Sequence, residues 1–490
     1  MIIKSMTITA QDLYNYTRCK HRVYLDSNGD PDERGEVSSF VQLLWEMGLQ
    51  TEKDYLEQLG GVDYENLESL SIGKAAERTL ALMQSGVTAI YQGVIQFEDL
   101  TGRPDLLIRS DERSSKFGDF LYEPVDIKAG KGWEINKKGE KTRFKKQYAF
   151  QVMFYRYILE RLQDSVPSFG RIINVDLEFE EFDPQAFESE FGDAFGEVRQ
   201  LVTARETSEP VLGSTCHQCG WYAKCRRWTE GTHDPTLLFF VGKNKFLLKE
   251  AGLKTVNDIA KMDVGHYLKP SNKIPRLGEK SLGRMKERAQ VVLAGEPLIH
   301  PGYSFPDKRE TYFDIEDDPT RGHTYLYGLI EKDAQGTWFY HYYLAKKPED
   351  EEQTIRAFWD YITATEDAVF YVYSHKERSS LRNLMERYDL DSDVFEKYVE
   401  CEYDLYQDLV VKYSNWPTYS YGIKHIATQV GFKWRDTDPG GANSIAWYNE
   451  YLADPDNNEL LQRILEYNED DCYAMIAVKA YFEAQLKMKT

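Results

Sequence analysis

The chain has 490 residues, too many for one core, so two or three domains are expected. A hydrophobic content of 42%, with 14% aromatic residues, is ample for packed globular cores, and no run approaches the apolar length that spans a bilayer. The net charge of −21 argues against a nonspecific polycation, but it leaves room for local basic patches that bind a polyanion. The start, MIIKSMTITAQDLY, lacks the apolar region of a signal peptide, so a cytoplasmic location is expected.

Residues 7 to 25 read as a threonine-capped helix followed by a turn bearing Cys19. Residues 39 to 59 carry helical apolar spacing with Glu46, Glu52 and Glu57 among the acidic positions, each of which is an ordinary solvated helix charge when taken alone. Residues 74 to 84 make another amphipathic helix, and Val87 to Phe97 alternates as a strand.

The next stretch, GRPDLLIRSDERSSKFGDFLYEPVDIK (Gly102 to Lys128), has two apolar runs flanking a polar, glycine-containing loop, which predicts a β-hairpin with a long turn. Asp105 opens the first run. Asp126 and Lys128 lie two apart on the second, so a strand would point both to one face. Converging there, two carboxylates and an ammonium would hold a divalent cation, with Lys128 orienting or deprotonating a water. Plain exposed strand charge is the alternative, and for a lone D-x-K triplet it is the better one.

A basic segment follows, with Lys131, Lys137, Lys138, Lys141, Arg143, Lys145 and Lys146 against only Glu134 and Glu140. Such a segment suits a polyanionic substrate, whose binding would then depend on salt. In the helix QYAFQVMFYRYILERL, Gln151 and Tyr155 are four apart and share a face. Strand-like residues Arg171 to Phe179 and a helix from Pro184 to Ala204 lead to CHQCGWYAKC. There Cys216, Cys219 and Cys225 form C-x2-C-x5-C, a grouping that in a cytosolic chain points to metal rather than disulfides. Cys401 and Cys472 stand apart and read as buried small hydrophobes.

GRPD, DIK after a hairpin and the Q-x3-Y helix resemble the PD-(D/E)XK nucleases of the RecB type. The early cysteine with C-x2-C-x5-C resembles the iron–sulfur clasp of the AddB and CRISPR-associated exonuclease branches. The resemblance covers about residues 8 to 228. It implies Asp105 and Asp126 as metal ligands, Lys128 as the catalytic lysine, Gln151 and Tyr155 as motif residues, and Glu52 as the upstream acidic ligand, with Glu46 and Glu57 as competitors. It also implies that Cys19, Cys216, Cys219 and Cys225 hold a 4Fe–4S cluster, which all-cysteine ligation suits. A structural Zn²⁺ is the alternative that spacing leaves open.

Residues 233 to 298 turn helical and rich in lysine and arginine. GLKTVNDIA resembles a helix–hairpin–helix unit, which grips a phosphate backbone without reading sequence; a helical connector is the equal alternative. From Glu310 the expected order is three antiparallel strands, a helix from Glu349 to Thr365, the strand AVFYVYS, then helices. Asp314 and Glu316 share one face of the first strand, and Tyr467 and Asp471 share a face of the last helix. Each pair alone reads as surface charge; the two in this order point to a ribonuclease H-like domain. This part resembles the DEDD 3′–5′ exonucleases, most closely the YprB-type domains, and SYGIKHIATQVGF is similar to their S-x-L-K-x-I segment. The resemblance implies that Asp314, Glu316 and Asp471 ligate two metal ions, with Tyr467 orienting the attacking water. The second motif departs: Glu377 stands where an aspartate is expected, and Asp404 is a weaker candidate.

The fold class expected is therefore multidomain α/β: a restriction-endonuclease-like PD-(D/E)XK domain (1–232), a small helix–hairpin–helix-like segment (233–298) and a ribonuclease H-like domain (299–490). This order resembles a family of RecB-like nucleases that join both domains in one chain. The expected activity is Mg²⁺- or Mn²⁺-dependent hydrolysis of DNA, on single strands or ends, with a second site either active or degenerate. Two alternatives are an end-recognition module for a helicase partner and an RNA 3′–5′ exonuclease acting through the C-terminal domain. No G-x4-G-K-[ST] run occurs, so ATP-driven unwinding by this chain itself is not expected.

Overall fold

The computed structural model of the chain describes residues 7–37, 39–58, 63–136, 140–319, 321–437 and 439–489. Two of the basic residues singled out above, Lys137 and Lys138, lie outside them. Contacts divide the chain into two compact units, one comprising residues 1–37 and 41–211, the other residues 38–40 and 212–490. No described helix is long and apolar enough to cross a membrane.

The first unit is built on a six-stranded mixed sheet in the spatial order Phe179–Phe182, Gly170–Ile173, Leu121–Ile127, Leu106–Ser110, Ala89–Tyr91, Tyr64–Asn66. The anticipated hairpin is its centre. Leu106 pairs with Val125 and Ser110 with Leu121 in antiparallel register. Every residue of Leu121–Ile127 is buried, because helix Lys146–Gln163 and the flanking strands cover it. The continuous strand expected from Val87 to Phe97 is instead broken. Gln92 takes a left-handed conformation (φ 54°), so Ala89–Tyr91 joins the large sheet while Ile95–Phe97 joins a separate three-stranded one. Thr9 caps helix Ala10–Arg18 with Asp12 reaching back, and Cys19 ends that helix with an extended backbone before helix Lys20–Asn28 begins.

Part of the basic segment is β-structure. Trp133–Ile135 and Lys141–Phe144 pair as a small antiparallel ribbon. Lys131 is paired with Asp176, while Glu190 holds Arg143 at 2.6 Å and Lys146 at 2.7 Å. Those three charges are therefore answered within the fold, which leaves less positive field for a polyanion than composition suggested.

In the second unit, strands Arg309–Asp318, His323–Lys332 and Trp338–Leu344 are antiparallel neighbours. Ala368–Val372 and a short fifth strand, Glu402–Asp404, extend the sheet in parallel on the other side. Period-2 alternation sorts the first strand between two cores. Phe313 and Ile315 pack with Phe358, Leu381 and Tyr398 of the helices on one face. Tyr312 packs on the opposite face with Cys472, Met475, Val478 and Phe482 of the long helix Asn458–Lys489. Asp314 and Glu316 follow Tyr312 on that second face. Of the two isolated cysteines, Cys472 is fully buried as expected, but Cys401 is half-exposed at the end of helix Ser392–Cys401.

Residues 233–298 keep an apolar cluster of their own around Leu248, Ile259, Leu282 and Met285. Gly252 (φ 88°) makes the turn between helices Asn244–Glu250 and Val256–Lys261, a left-handed position that suits glycine. Leu298–Ile299 pairs with Ser414–Asn415, and Arg288 donates to Asn415 Oδ1 at 3.1 Å.

Candidate functional site

Asp314 and Glu316 project toward the long helix because the strand alternates and its other face is filled with Phe313 and Ile315. The helix answers with Tyr467 and Asp471, one turn apart. Ligand oxygens of Asp314, Glu316 and Asp471 all lie within 4.8 Å of one another. A register shift between Glu316 and Asp317 bends the strand end beside this cluster.

Both aspartates are oriented by protein donors. Asn468 Nδ2 donates to Asp314 Oδ2 at 2.8 Å, and Tyr340 fixes that amide by donating to Asn468 Oδ1 at 2.9 Å. Trp434 Nε1 donates to Asp471 Oδ1 at 2.7 Å, and the Lys424 ammonium contacts the same oxygen. Lys424 also lies 4.2 Å from the Tyr467 ring centre. Lys376, the first residue of helix Lys376–Tyr388, pairs with Asp317 Oδ1 at 2.7 Å and faces Glu316 and Asp314.

Burial pushes the Asp314 carboxyl well above its ordinary range, and Glu316, Asp471 and Glu377 push it further, against the pull of Lys376. Burial likewise raises Glu316 to about 7, with Lys376 opposing and Asp471 adding. The Tyr467 hydroxyl is raised well above its usual value by burial and then by Asp471. Without a cation, ionising this many close, buried carboxylates is costly. Oxygen-only donors at this spacing fit a hard divalent ion such as Mg²⁺ or Mn²⁺.

Residues 311–483 match the RNase H superfamily. They form a ribonuclease H-like domain, the type of domain found in metal-dependent hydrolytic nucleases, and the acidic cluster lies on it. No curated protein matches the chain.

Glu377 lies outside the tight set of three, although its charge is felt at Asp314. It is buried near the start of its helix, takes a hydrogen bond from Ser374 Oγ at 3.3 Å, and is raised to about 8 by burial. Asp404 caps the turn after the fifth strand through the amides of Tyr406 and Gln407. Its Oδ2 is buried without a hydrogen-bond partner, 3.4 Å from His375 Nδ1. Sequence pattern does not mark Lys376 or Trp434. Asn468 has a faint signal, since it sits three residues before Asp471 and so shares its face of the helix.

The first unit assembles a second group of charges. Asp105 Oδ2 accepts from the Ile127 amide at 2.8 Å, which ties it across the hairpin to Asp126 and Lys128. Gln92 Nε2 reaches Asp105 Oδ1 at 3.0 Å and Glu52 Oε2 at 3.4 Å, and Tyr91 donates to the same Glu52 oxygen at 3.0 Å. Glu52 is thus the helix acid brought to Asp105, whereas Glu46 and Glu57 are not. Lys128 Nζ lies 2.8 Å from Asp126 Oδ2 as an ion pair rather than an aligned hydrogen bond. Burial raises Asp105 well above its usual range, with Asp126 adding. Burial alone would lower Lys128, but Asp126 and Asp105 outweigh it and hold the ammonium charged.

Gln151 is buried with Oε1 lacking a partner, and Tyr155 is buried with its hydroxyl 3.5 Å from the Arg103 carbonyl. Gly102 makes room for that tyrosine, since a Cβ there would lie 2.7 Å from Tyr155 Cδ1. The Gln151 oxygen without a hydrogen-bond partner, and an Asp126 oxygen held only by the Lys128 ammonium, leave acceptor capacity for a cation or a water.

Cys216 lies in the short 3-10 turn Ser214–Gln218, Cys219 closes that turn, and Cys225 lies on helix Tyr222–Gly231. Backbone bonds from Cys219 N to Cys216 O (2.9 Å) and from Tyr222 N to Cys219 O (2.9 Å) wind them into successive tight turns.

Proposed function

We propose that the protein is a divalent-metal-dependent nuclease that hydrolyses phosphodiester bonds of DNA, with single strands or ends as substrate. The observation that carries this reading is the convergence of Asp314, Glu316 and Asp471 on a domain of the RNase H superfamily. A bound Mg²⁺ or Mn²⁺ supplies Lewis acidity and lowers the pKa of a coordinated water. Asp314, Glu316 and Asp471 are the residues that would hold it. Tyr467, kept protonated by burial and by the nearby Asp471 charge, orients the attacking water. Lys424 and Trp434 hold Asp471 in place.

A second hydrolytic site in the first unit is favoured by one specific observation: Asp105, buried Asp126 and its ion-pair partner Lys128 converge in the unit that also buries Gln151, whose Oε1 lacks a hydrogen-bond partner. In this reading Lys128 acts as a fixed cation on the scissile phosphate. Glu52 and Asp105 share Gln92 as their common donor.

End-labelled single-stranded DNA and RNA, incubated with Mn²⁺, test both sites. Asp314→Ala is expected to remove one cleavage activity and Asp126→Ala the other. Undiminished cleavage of every substrate by the double variant would overturn the proposal. RNA cleaved in preference to DNA would overturn the assignment of substrate.

A further inference from the structure

The second half of helix Ser39–Gln58 packs on the central hairpin of the first unit. Thr51 and Tyr55 are buried there, and Tyr55 and Leu56 meet Leu106, Val125 and Ile127. The first half is bare by comparison. Trp45 is 57% exposed, the one exposed tryptophan among the described residues, and Leu49 is 54% exposed. Single exposed apolar side chains are ordinary, but these two are neighbours one helical turn apart.

Trp45, Gly48, Leu49 and Glu52 follow the i, i+3, i+4, i+7 spacing of one helix face. Gly48 sits in mid-helix, where glycine is a poor helix former, and a Cβ built on it would meet nothing within 4 Å. No packing neighbour requires this glycine; its effect is to bare the backbone beside the two apolar side chains. Glu52 carries the same face into the charged cluster of the first unit. It accepts from Tyr91 at 3.0 Å and from Gln92, which also donates to Asp105. Burial raises its carboxyl, and the charges of Lys128 and Asp126 act on it as well. Trp45 stands seven residues from that acid, about 10 Å along the helix axis.

One face thus joins an apolar shelf to a charged ammonium beside its far end. The complement of that pairing is a nucleotide, which has a flat apolar base and an anionic phosphate. The shelf is too small for a second copy of the chain. Two part-exposed side chains offer a few hundred Å² at most, against about 800 Å² per partner in a stable interface. A stacked base needs no more than that.

We propose that Trp45, with Gly48 and Leu49, forms a shelf on which an unpaired base of a single-stranded nucleic acid stacks while a phosphate of the same strand lies at Lys128. The inference rests on the hydrolytic reading of the first unit and adds how the strand is held beside it. Bases inside a duplex have both faces covered by their neighbours, so the shelf selects single strands and frayed ends.

The test is fluorescence anisotropy with a labelled single-stranded oligodeoxynucleotide. The full chain carries Asp126→Asn and Asp314→Asn, so that neither candidate site hydrolyses the strand. Adding Trp45→Ala should weaken binding about tenfold, and Trp45→Phe should retain most of the affinity. The salt dependence of binding should keep its slope, since stacking releases no counterions. A strand with abasic sites in place of its bases should bind equally with and without Trp45→Ala. Equal affinity for the ordinary strand, or a difference that persists on the abasic one, would overturn the shelf. A chain that sediments as a dimer and becomes monomeric with Trp45→Ala would overturn it too, assigning the face to a second copy. Cleavage by an Asp314→Ala chain that adding Asp126→Ala leaves undiminished would overturn the hydrolytic reading of the unit. A binding difference due to Trp45 would then stand by itself.

Discussion

Asn468 reaches Asp314 only because residue 328 has no side chain. Gly328 sits directly opposite Asp314 in the antiparallel ladder, and a Cβ on it would fall 1.6 Å from Asn468 Oδ1. The strand pair thus opens a slot through which a helix residue orients the first carboxylate of the cluster.

Gly328→Ala is therefore expected to expel the Asn468 amide, destabilise the domain by about 1–3 kcal/mol and loosen the metal site. Asn468→Ala should leave the fold intact but cost about 10–100-fold in Mn²⁺ affinity, the usual scale for losing a group that orients a ligand. Thermal unfolding and Mn²⁺ titration on both variants separate the two effects. Equal affinity in Asn468→Ala and the unaltered protein would show that the asparagine does not position Asp314.

In the first unit the comparable pair is Gly102 and Tyr155. Gly102→Ala places a methyl group 2.7 Å from Tyr155 Cδ1 in a packed core. It should lower stability by about 1–3 kcal/mol and impair the Asp126-dependent activity without touching the Asp314-dependent one. Tyr155→Phe keeps the ring packing and removes only the long 3.5 Å contact to the Arg103 carbonyl. It should be nearly neutral for stability, so any loss of cleavage reports on the hydroxyl's part in that site.

What the sequence disclosed here follows from short-range periodicity. Asp314 and Glu316 were legible as a pair because strand side chains repeat every two residues, and Tyr467 and Asp471 because helix neighbours recur every four. The hairpin around Asp105 and Asp126 was legible for the same reason. Partners brought in by tertiary folding were not. Lys376 arrives on a separate helix and Trp434 from a loop. Arg143 and Lys146 look like free basic charge until Glu190, over forty residues on, is seen to hold both. The break at Gln92 hid inside an alternating stretch, since nothing in alternation marks a residue with φ 54°.

The cysteines are read from spacing, and spectroscopy distinguishes the two readings. Anaerobically purified protein carrying a 4Fe–4S cluster should be brown, with visible absorbance that Cys216→Ser removes. Colourless protein with stoichiometric zinc would assign a structural metal instead. The same substitution would then lower thermal stability without any optical change.

The buried acids of the ribonuclease H-like domain also make stability depend on pH in a direction opposite to the common one. A carboxyl whose folded pKa is depressed stabilises at high pH, but Glu316 is raised to about 7 and Glu377 to about 8. The folded chain therefore binds more protons than the unfolded one between the ordinary glutamate value and those raised values. Stability falls as pH climbs through that window. Every tenfold gain in proton affinity on folding corresponds to about 1.4 kcal/mol of stability that is lost as pH crosses the window. A divalent cation held by Asp314, Glu316 and Asp471 binds the ionised form and offsets the loss. The Tm increment produced by 1 mM Mn²⁺ (roughly a saturating level for a site of about 10 μM affinity) should accordingly be larger at pH 8 than at pH 6. Glu377→Gln should raise the metal-free Tm at pH 8 and leave it nearly unchanged at pH 5, where the glutamate is already protonated in the fold. A metal-free Tm that rises steadily from pH 5 to pH 8 would mean that these carboxyls are not held in the protonated state by burial.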